Sequence, residues 1–237
     1  MKLSIIIPAY NEEKTIDAVI KEIPEKFPSI DKKEVIVIDD GSPDGTAQIV
    51  KKSKKYNKKL FLIERSHKMG LGSAYREGFS WFLNSEYSHC IEMDVDFSHT
   101  FEDLKKILSK LSFGDMIIGS RYIKGGGSKG WDRRRKALSK YANLFSRSIL
   151  NSDLNDLTSG FRSFNKHALT EIEFNSITTN GYGFQIEMAF NAEKAGLTIL
   201  EVPITFEERR LGQSKMNLQI TFEAVMLLFK LFIKRKK

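Results

Sequence analysis

Short runs of apolar, mostly β-branched residues alternate along the first half of the chain with longer stretches of helical periodicity. Residues 3–7 (Leu-Ser-Ile-Ile-Ile) read as a buried strand, and a helix is predicted from about Glu12 to Ile23. The pattern repeats at 35–38 with a helix starting near Thr46, at 60–63 with a helix over 72–83, at 89–93 with a helix over 101–111, and at 116–119. Five short strands with helical crossovers predict an α/β fold around a mostly parallel sheet. After Arg121 the punctuation changes. Residues 124–130 hold four glycines and two lysines, and Arg133 opens a helical stretch reaching about Leu150. So much glycine and positive charge between regular elements reads as a site loop, not a domain linker, and no second domain, repeat or low-complexity tract is visible.

Composition changes this picture in three places. The 237 residues, 41% hydrophobic and 29% charged, exclude disorder and suffice for one large α/β domain. A net charge of +8 implies an anionic partner, whether nucleic acid, a phosphorylated substrate or an acidic membrane surface. Cys90 is the sole cysteine, which excludes an intramolecular disulfide and a thiolate zinc cluster and points to a reducing compartment. The apolar run at the start is too short for a signal peptide, so a cytosolic amino terminus is expected.

Chemistry concentrates where the apolar runs stop. Ile36-Val-Ile-Asp39-Asp40-Gly-Ser-Pro-Asp-Gly-Thr46 and Met93-Asp94-Val95-Asp96 each place carboxylates directly behind a strand, expected at the carboxyl ends of adjacent strands, where open α/β sheets bind ligands. Adjacent Asp39 and Asp40 repel unless they meet donors such as a base or ribose hydroxyls. Asp94 and Asp96, two apart at a strand end, point to one side and can converge on a hard divalent cation, Mg²⁺ or Mn²⁺, that keeps phosphate oxygens in its shell. His99 nearby reads as a loop or capping histidine. In Pro8-Ala9-Tyr10-Asn11-Glu12 the proline ends strand one, Tyr10 can stack on a base, and Asn11 or Glu12 can cap the next helix. Gly70-Leu-Gly72 lacks the remaining signature of a phosphate-binding loop and reads as close helix–sheet packing, with Lys68 a candidate contact. Among the basic residues, Arg133, Arg134 and Arg210 read as a solvated face. Arg121, Arg135, Arg209 and Lys215 sit in glycine-rich or turn sequence, the context of loops that close on anions.

These motifs, with Ser120-Arg121-Tyr122, Thr158-Ser-Gly-Phe-Arg162, Gly181-Tyr-Gly-Phe-Gln-Ile-Glu187, Val202-Pro-Ile204 and Arg209-x-x-Gly212-x-Ser214-Lys215, occur in order. Over about residues 3–217 the chain strongly resembles family 2 glycosyltransferases of the dolichyl-phosphate mannose synthase type. The resemblance implies a single GT-A (Rossmann-like) domain over 1–217 and inverting transfer of mannose from GDP-mannose to dolichyl or another polyprenyl phosphate, with Mg²⁺ or Mn²⁺. By matching position, Pro8, Ala9, Tyr10, Glu12, Ile38, Asp39 and Asp40 would hold the nucleoside. Asp94, Val95 and Asp96 would meet the metal and diphosphate. Arg121, Arg209 and Lys215 would hold phosphates, and Arg135 and Ser139 those of the acceptor. Catalysis falls to Asp94, Asp96, Arg121 and Arg209. Ala9 and Val95 stand where the family often has threonine and alanine, and Ser98 where some members place a glutamine as third metal ligand.

A phosphate monoester acceptor is already anionic near neutral pH and needs little from a general base, whereas bringing it towards a diphosphate demands compensating positive charge. The carboxyl end adds a lipid signal. Residues 218–233 are largely apolar, with Glu223 and Lys230 the only charges, and Lys234-Arg-Lys-Lys237 follows. Sixteen residues fall short of the ~20 that span a bilayer, so 218–237 is expected as an interfacial helix and basic tail, with Phe229 and Phe232 dipping into the headgroup boundary. Packing of this helix back onto the domain is the competing expectation. The resulting picture is a peripheral membrane protein on the cytosolic face, compatible with a small membrane partner subunit. UDP-glucose is the rival donor. A nucleic-acid-binding module ranks low, because only Tyr122 and Trp131 interleave the basic stretch.

Overall fold

The computed structural model describes residues 2–26, 32–55, 57–208 and 218–235. Along the chain run β1 (Lys2–Ala9), α1 (Ile16–Lys26), β2 (Lys32–Asp39), α2 (Thr46–Lys54), β3 (Leu60–Glu64), α3 (Leu71–Leu83), β4 (His89–Glu92), α4 (Phe101–Leu108), β5 (Met116–Ser120), β6 (Gly127–Lys129), α5 (Arg133–Leu150), β7 (Arg162–Asn165), α6 (Lys166–Ile172), α7 (Gly181–Lys194), β8 (Ile199–Pro203), β9 (Thr205–Glu207) and α8 (Leu218–Arg235).

Seven strands form one sheet in the order β3-β2-β1-β4-β7-β5-β8. All five expected strands are present, and their pairings with one another are parallel. β7, however, runs antiparallel between β4 and β5, so these two are not neighbours. β2 and β4 are not adjacent either, because each pairs with a different edge of β1. The acidic clusters therefore flank the end of β1. The chain winds outward from β1 through β2 to β3, then returns to β1's other edge as β4, which makes that junction the switch point where ligands bind.

Burial explains why the strands read as continuous apolar runs. Ile6, Ile36 and Ile38 face one side, packed with Tyr75, Phe79, Phe82, Phe164 and Phe184. Ile5, Ile7, Val35 and Val37 face the other, against Ile16, Val19 and Ile20 of α1 and Leu104 and Ile107 of α4. Each such fully buried side chain contributes about 1.5–3 kcal/mol. α3 lies close on the sheet because Gly78 lacks a side chain: a Cβ there would stand 2.4 Å from Ile6 Cγ2. Gly72 was expected in that role, but its Cβ would instead meet the Thr179 carbonyl at 2.6 Å and the Phe184 ring of α7 at 3.0 Å.

Several details differ from expectation. α1 begins at Ile16, after a turn in which the Glu12 carbonyl accepts from the N–H groups of Thr15 and Ile16. α4 stops at Leu108. The glycine-rich stretch is not an open loop, because residues 127–129 pair as β6 with β9 in a small parallel ribbon. α8 packs against α5 and α7. Its Leu227, Leu228 and Leu231 are buried, while Met226, Phe229, Phe232 and Ile233 stay exposed, so one face meets the body and the other does not. Among the described residues no helix is long and apolar enough to cross a membrane.

Candidate active site

Pro8 and Ala9 end β1 in register with Ile38 and Asp39 of β2. The loops that follow are laced together. Asn11 N–H donates to Ser42 Oγ at 3.0 Å, Glu12 N–H to Thr46 Oγ1 at 2.9 Å and Glu13 N–H to Asp44 Oδ2 at 3.3 Å. Asn11 takes a left-handed backbone conformation with φ of 60°, which asparagine tolerates at the start of such a turn. Tyr10 lies under the Lys68 ammonium, 4.1 Å from its ring centroid.

The two neighbouring aspartates have different surroundings. Asp40 is saturated by protein donors: Arg65 Nη1 and Met69 N–H, each at 2.8 Å, reach Oδ1, and Gly70 N–H at 2.9 Å reaches Oδ2. It fixes the turn before α3 through an arginine that the sequence reading did not single out. Asp39 is also buried, but only its Oδ2 is engaged, by Ser42 N–H at 3.0 Å. Asp39 Oδ1 has no donor among the described residues, and a buried carboxylate oxygen in that state is set for a ligand's N–H or O–H.

β4 ends at Glu92, so strand alternation does not place Asp94 and Asp96. A hydrogen-bonded loop does. Asp94 N–H donates to His99 Nδ1 at 3.1 Å, Ser98 N–H donates to Asp96 Oδ1 at 3.0 Å, and Phe97 adopts φ of 61°. His99 lies flat on Phe161, with ring centroids 4.4 Å apart. Because Nδ1 accepts, the ring proton resides on Nε2, which faces Asp94 Oδ2 at 3.9 Å. His99 thus orients the acidic loop. Ser98 Oγ is buried without a hydrogen bond among the described residues. Val95 is buried in the core beneath the loop. Glu207 N–H donates to the Ser98 carbonyl at 3.1 Å, bringing the end of β9 against the acidic loop. Arg209 and Lys215 lie outside the described residues.

Arg121 follows β5 and is anchored more firmly than the sequence implied. Nε and Nη2 donate to the two oxygens of Asp156, each at 2.8 Å, the Arg121 N–H adds a third bond at 3.0 Å, and Nη2 also reaches Thr158 Oγ1 at 2.7 Å. Burial alone would weaken the guanidinium charge, but Asp156 holds it above its ordinary range. Burial likewise opposes the Asp156 charge, and Arg121 holds that carboxyl below its usual value. Nη1 is left as the guanidinium nitrogen without a hydrogen bond among the described residues. Behind this pair lies a second buried cluster. Arg162 donates through Nη1 to the Gln185 carbonyl at 2.7 Å and through Nη2 to the Leu157 carbonyl at 2.8 Å, while Gln185 Nε2 donates to Glu92 Oε2 at 3.0 Å. Burial raises Glu92 to about 8, with Arg162 and Gln185 opposing.

Arg135 lies in the first turn of α5, which Asp132 caps by accepting the Arg135 N–H at 2.9 Å, and Ser139 lies one turn further on. Arg135 stacks over Trp131 at 4.3 Å and donates from Nη1 to Glu208 at 2.9 Å, while Ser139 Oγ and the Tyr122 hydroxyl lie 2.6 Å apart. The sequence reading missed Asp156, Arg65, Glu92 and Gln185. Only Gln185 lay in a quoted motif, so the other three carried no local signal.

Fold and site together define a protein of the GT-A class, with its polar groups gathered at the carboxyl ends of β1, β2, β4 and β5. The chain belongs to glycosyl transferase family 2, whose sequence profile matches residues 4–173. It is 39% identical over 215 residues to the polyprenol monophosphomannose synthase of Mycolicibacterium smegmatis, covering 90% of this chain and 80% of that one. To the undecaprenyl-phosphate mannosyltransferase of Micrococcus luteus it is 38% identical over 226 residues, covering 95% and 92%. Among solved structures, glucosyl-3-phosphoglycerate synthase from Mycobacterium tuberculosis in complex with Mn²⁺, uridine diphosphate and phosphoglyceric acid matches with a TM-score of 0.71 at 18% identity, covering 98% of this chain and 78% of that one. The same enzyme with Mg²⁺ and uridine diphosphate matches at 0.68 and 19%, covering 97% and 79%. That likeness establishes the shared fold.

Proposed function

We propose that this chain transfers mannose from GDP-mannose to a polyprenyl phosphate such as dolichyl phosphate, with inversion at the anomeric carbon. The observation that carries the donor half is the contrast between Asp40, whose oxygens are filled from within, and Asp39, whose buried Oδ1 awaits a donor. A base N–H or ribose hydroxyl satisfies it, with Tyr10, Glu12, Pro8, Ala9 and Ile38 around the nucleoside. The mannosyl and polyprenyl halves rest on the two relatives, whose names specify that chemistry.

A divalent cation fits the acidic loop. Asp94, Asp96 and the unsatisfied Ser98 hydroxyl offer hard oxygen atoms, and no group of three His, Cys, Asp or Glu residues among the described residues could hold a metal alone. Such a site suits Mg²⁺ or Mn²⁺ that completes its shell with diphosphate oxygens, where it would offset charge on the leaving group. His99 keeps Asp94 aimed, Arg121 Nη1 presents positive charge to a phosphate, and Arg135, Ser139, Arg209 and Lys215 extend that role to the acceptor. The acceptor is an anion near neutral pH, so no side chain has to remove a proton before it attacks.

Peripheral attachment to the cytosolic face of a membrane completes the reading. α5, which packs on α8, leaves Leu138, Tyr141, Leu144 and Phe145 exposed, and basic residues occur along both helices. Incubation with labelled GDP-mannose or UDP-glucose and a polyprenyl phosphate, with Mn²⁺ or with a chelator, tests the proposal. Mannose should enter the lipid fraction only from GDP-mannose and only with metal. Transfer from UDP-glucose instead, or metal-independent transfer, would overturn it.

A further inference from the structure

Phe206 is the middle residue of β9, and the backbone around it is pinned on both sides. Ile204 N–H donates to the Ser120 carbonyl at the end of β5 at 3.1 Å, and Thr205 N–H to Asp103 Oδ2 of α4 at 3.0 Å. Glu207 N–H reaches the Ser98 carbonyl of the acidic loop at 3.1 Å, and Glu208 N–H the Lys129 carbonyl of β6 at 2.9 Å. A side chain carried on such a segment has little freedom to shift.

The Phe206 ring is half-buried and belongs to neither apolar cluster that packs the sheet. Its neighbours are functional groups instead. It meets His99 edge-on, with centroids 5.8 Å apart and planes at 77°, and Trp131 at 5.4 Å and 64°. The guanidinium carbon of Arg121 lies 5.8 Å from its centroid. Each neighbour serves a different part of the site. His99 accepts the Asp94 N–H and lies on Phe161, Trp131 carries Arg135 on its face at 4.3 Å, and Arg121 is the buried cation fixed by Asp156. One ring therefore joins the acidic loop to the cations across it, linking segments that are far apart in sequence.

We propose that Phe206 is a positioning residue whose ring holds the Asp94–Asp96 loop and the acceptor-side cations at the spacing that transfer requires. The inference rests on the functional reading above and adds to it a side chain that acts through its neighbours. A metal-bound diphosphate and an incoming phosphate repel each other, so the groups that neutralise them have to be fixed relative to one another. A misplacement of about 1 Å in such an arrangement can cost about 10²-fold in rate. An aromatic ring suits the task because edge-to-face pairing sets angle as well as distance, and the ring face favours a cation. An aliphatic side chain of similar volume fills the space without orienting what surrounds it.

The test compares full-length Phe206→Leu and Phe206→Tyr with the wild type. Manganese titration followed by electron paramagnetic resonance reports the metal end, and calorimetry with a short-chain, water-soluble prenyl phosphate reports the acceptor end; neither needs turnover. Phe206→Leu should weaken both about threefold or more and lower kcat for transfer from GDP-mannose about tenfold or more. Its affinity for GDP in the presence of a chelator should stay within about twofold, because the nucleoside end lies at β1 and β2. Phe206→Tyr keeps the ring and should bring all three quantities back to within about twofold of wild type. Unchanged Mn²⁺ and prenyl phosphate affinities in Phe206→Leu would overturn the proposal. So would an equal loss of metal-free GDP binding, the mark of general structural damage, or a Phe206→Tyr variant that recovers nothing. If the wild-type chain transfers no mannose yet Phe206→Leu still loses Mn²⁺ affinity, the functional reading fails and the positioning role stands.

Discussion

Arg121 and Asp156 form an almost wholly buried bidentate ion pair, with Nε and Nη2 each 2.8 Å from a carboxylate oxygen and the Arg121 N–H closing a third bond. The arginine expected to meet a phosphate is thereby held rigid, and Asp156 positions it. Removing the carboxylate should both loosen Arg121 and strand its charge. Asp156→Ala is expected to cost about 3–5 kcal/mol by urea unfolding, the usual penalty for breaking one side of a buried pair. Asp156→Asn should cost less and still lower kcat/KM, since it keeps the shape and loses the charge. Wild-type kinetics in Asp156→Asn would show that the pair does not position Arg121 for catalysis.

The same pair sets a pH dependence. The folded-state value of Asp156 lies below its ordinary 3.8. Its contribution to stability is therefore complete above the unfolded value and is lost as pH falls through that value towards the lower, folded one. Between those two values Asp156→Asn should show a shallower acid loss than wild type, by up to one proton, or about 1.4 kcal/mol per pH unit. Parallel acid limbs in thermal melts would refute this.

His99 should matter through Asp94 alone. His99→Phe retains an aromatic ring against Phe161 and removes the acceptor for the half-buried Asp94 N–H, at a cost of about 1 kcal/mol. Manganese titration followed by electron paramagnetic resonance should show weaker binding than in the wild type. Unaltered Mn²⁺ affinity would mean that the loop holds its shape without the histidine.

How far the site could be read in advance depended on whether a residue's partner was local. The runs at 35–38 and 89–93 announced strands because both faces of the sheet are covered, and the carboxylates behind them were visible as breaks in those runs. β7 was not visible: its four residues include Arg162 and Asn165, and what makes them a strand is insertion between β4 and β5. Asp156 carried no signal in the sequence because its partner lies 35 residues earlier. The basic run at 133–136 was legible as charge, but the carboxylate that holds Arg135, Glu208, lies 73 residues later.

The exposed face of α8 should bind membrane independently of the site. Phe229→Ser/Phe232→Ser removes two exposed rings and leaves the buried Leu227, Leu228 and Leu231 in place. Vesicle sedimentation should fall markedly, by about 1 kcal/mol or more per ring at the ~25 cal/mol per Å² of apolar burial. Turnover on a soluble acceptor should stay within about twofold. Full retention on vesicles would remove α8 from the membrane contact.

Asp39 and Asp40 differ by one position and should separate binding from folding. Asp40 joins Arg65 to the Met69 and Gly70 amides, so Asp40→Ala leaves two backbone donors unpaired and Arg65 with only Ser73 and Glu77, and a loss of about 3 kcal/mol is expected. Asp39→Ala gives up a single hydrogen bond, from Ser42, at 3.0 Å, and releases an oxygen that had no partner, so its stability should change by only about 1 kcal/mol. Affinity for GDP should respond in reverse, falling about tenfold or more in Asp39→Ala. A folded, stable Asp40→Ala that has lost GDP binding, beside an Asp39→Ala that retains it, would exchange the two assignments. Calorimetric titration of GDP and urea unfolding on the same two proteins decide between them.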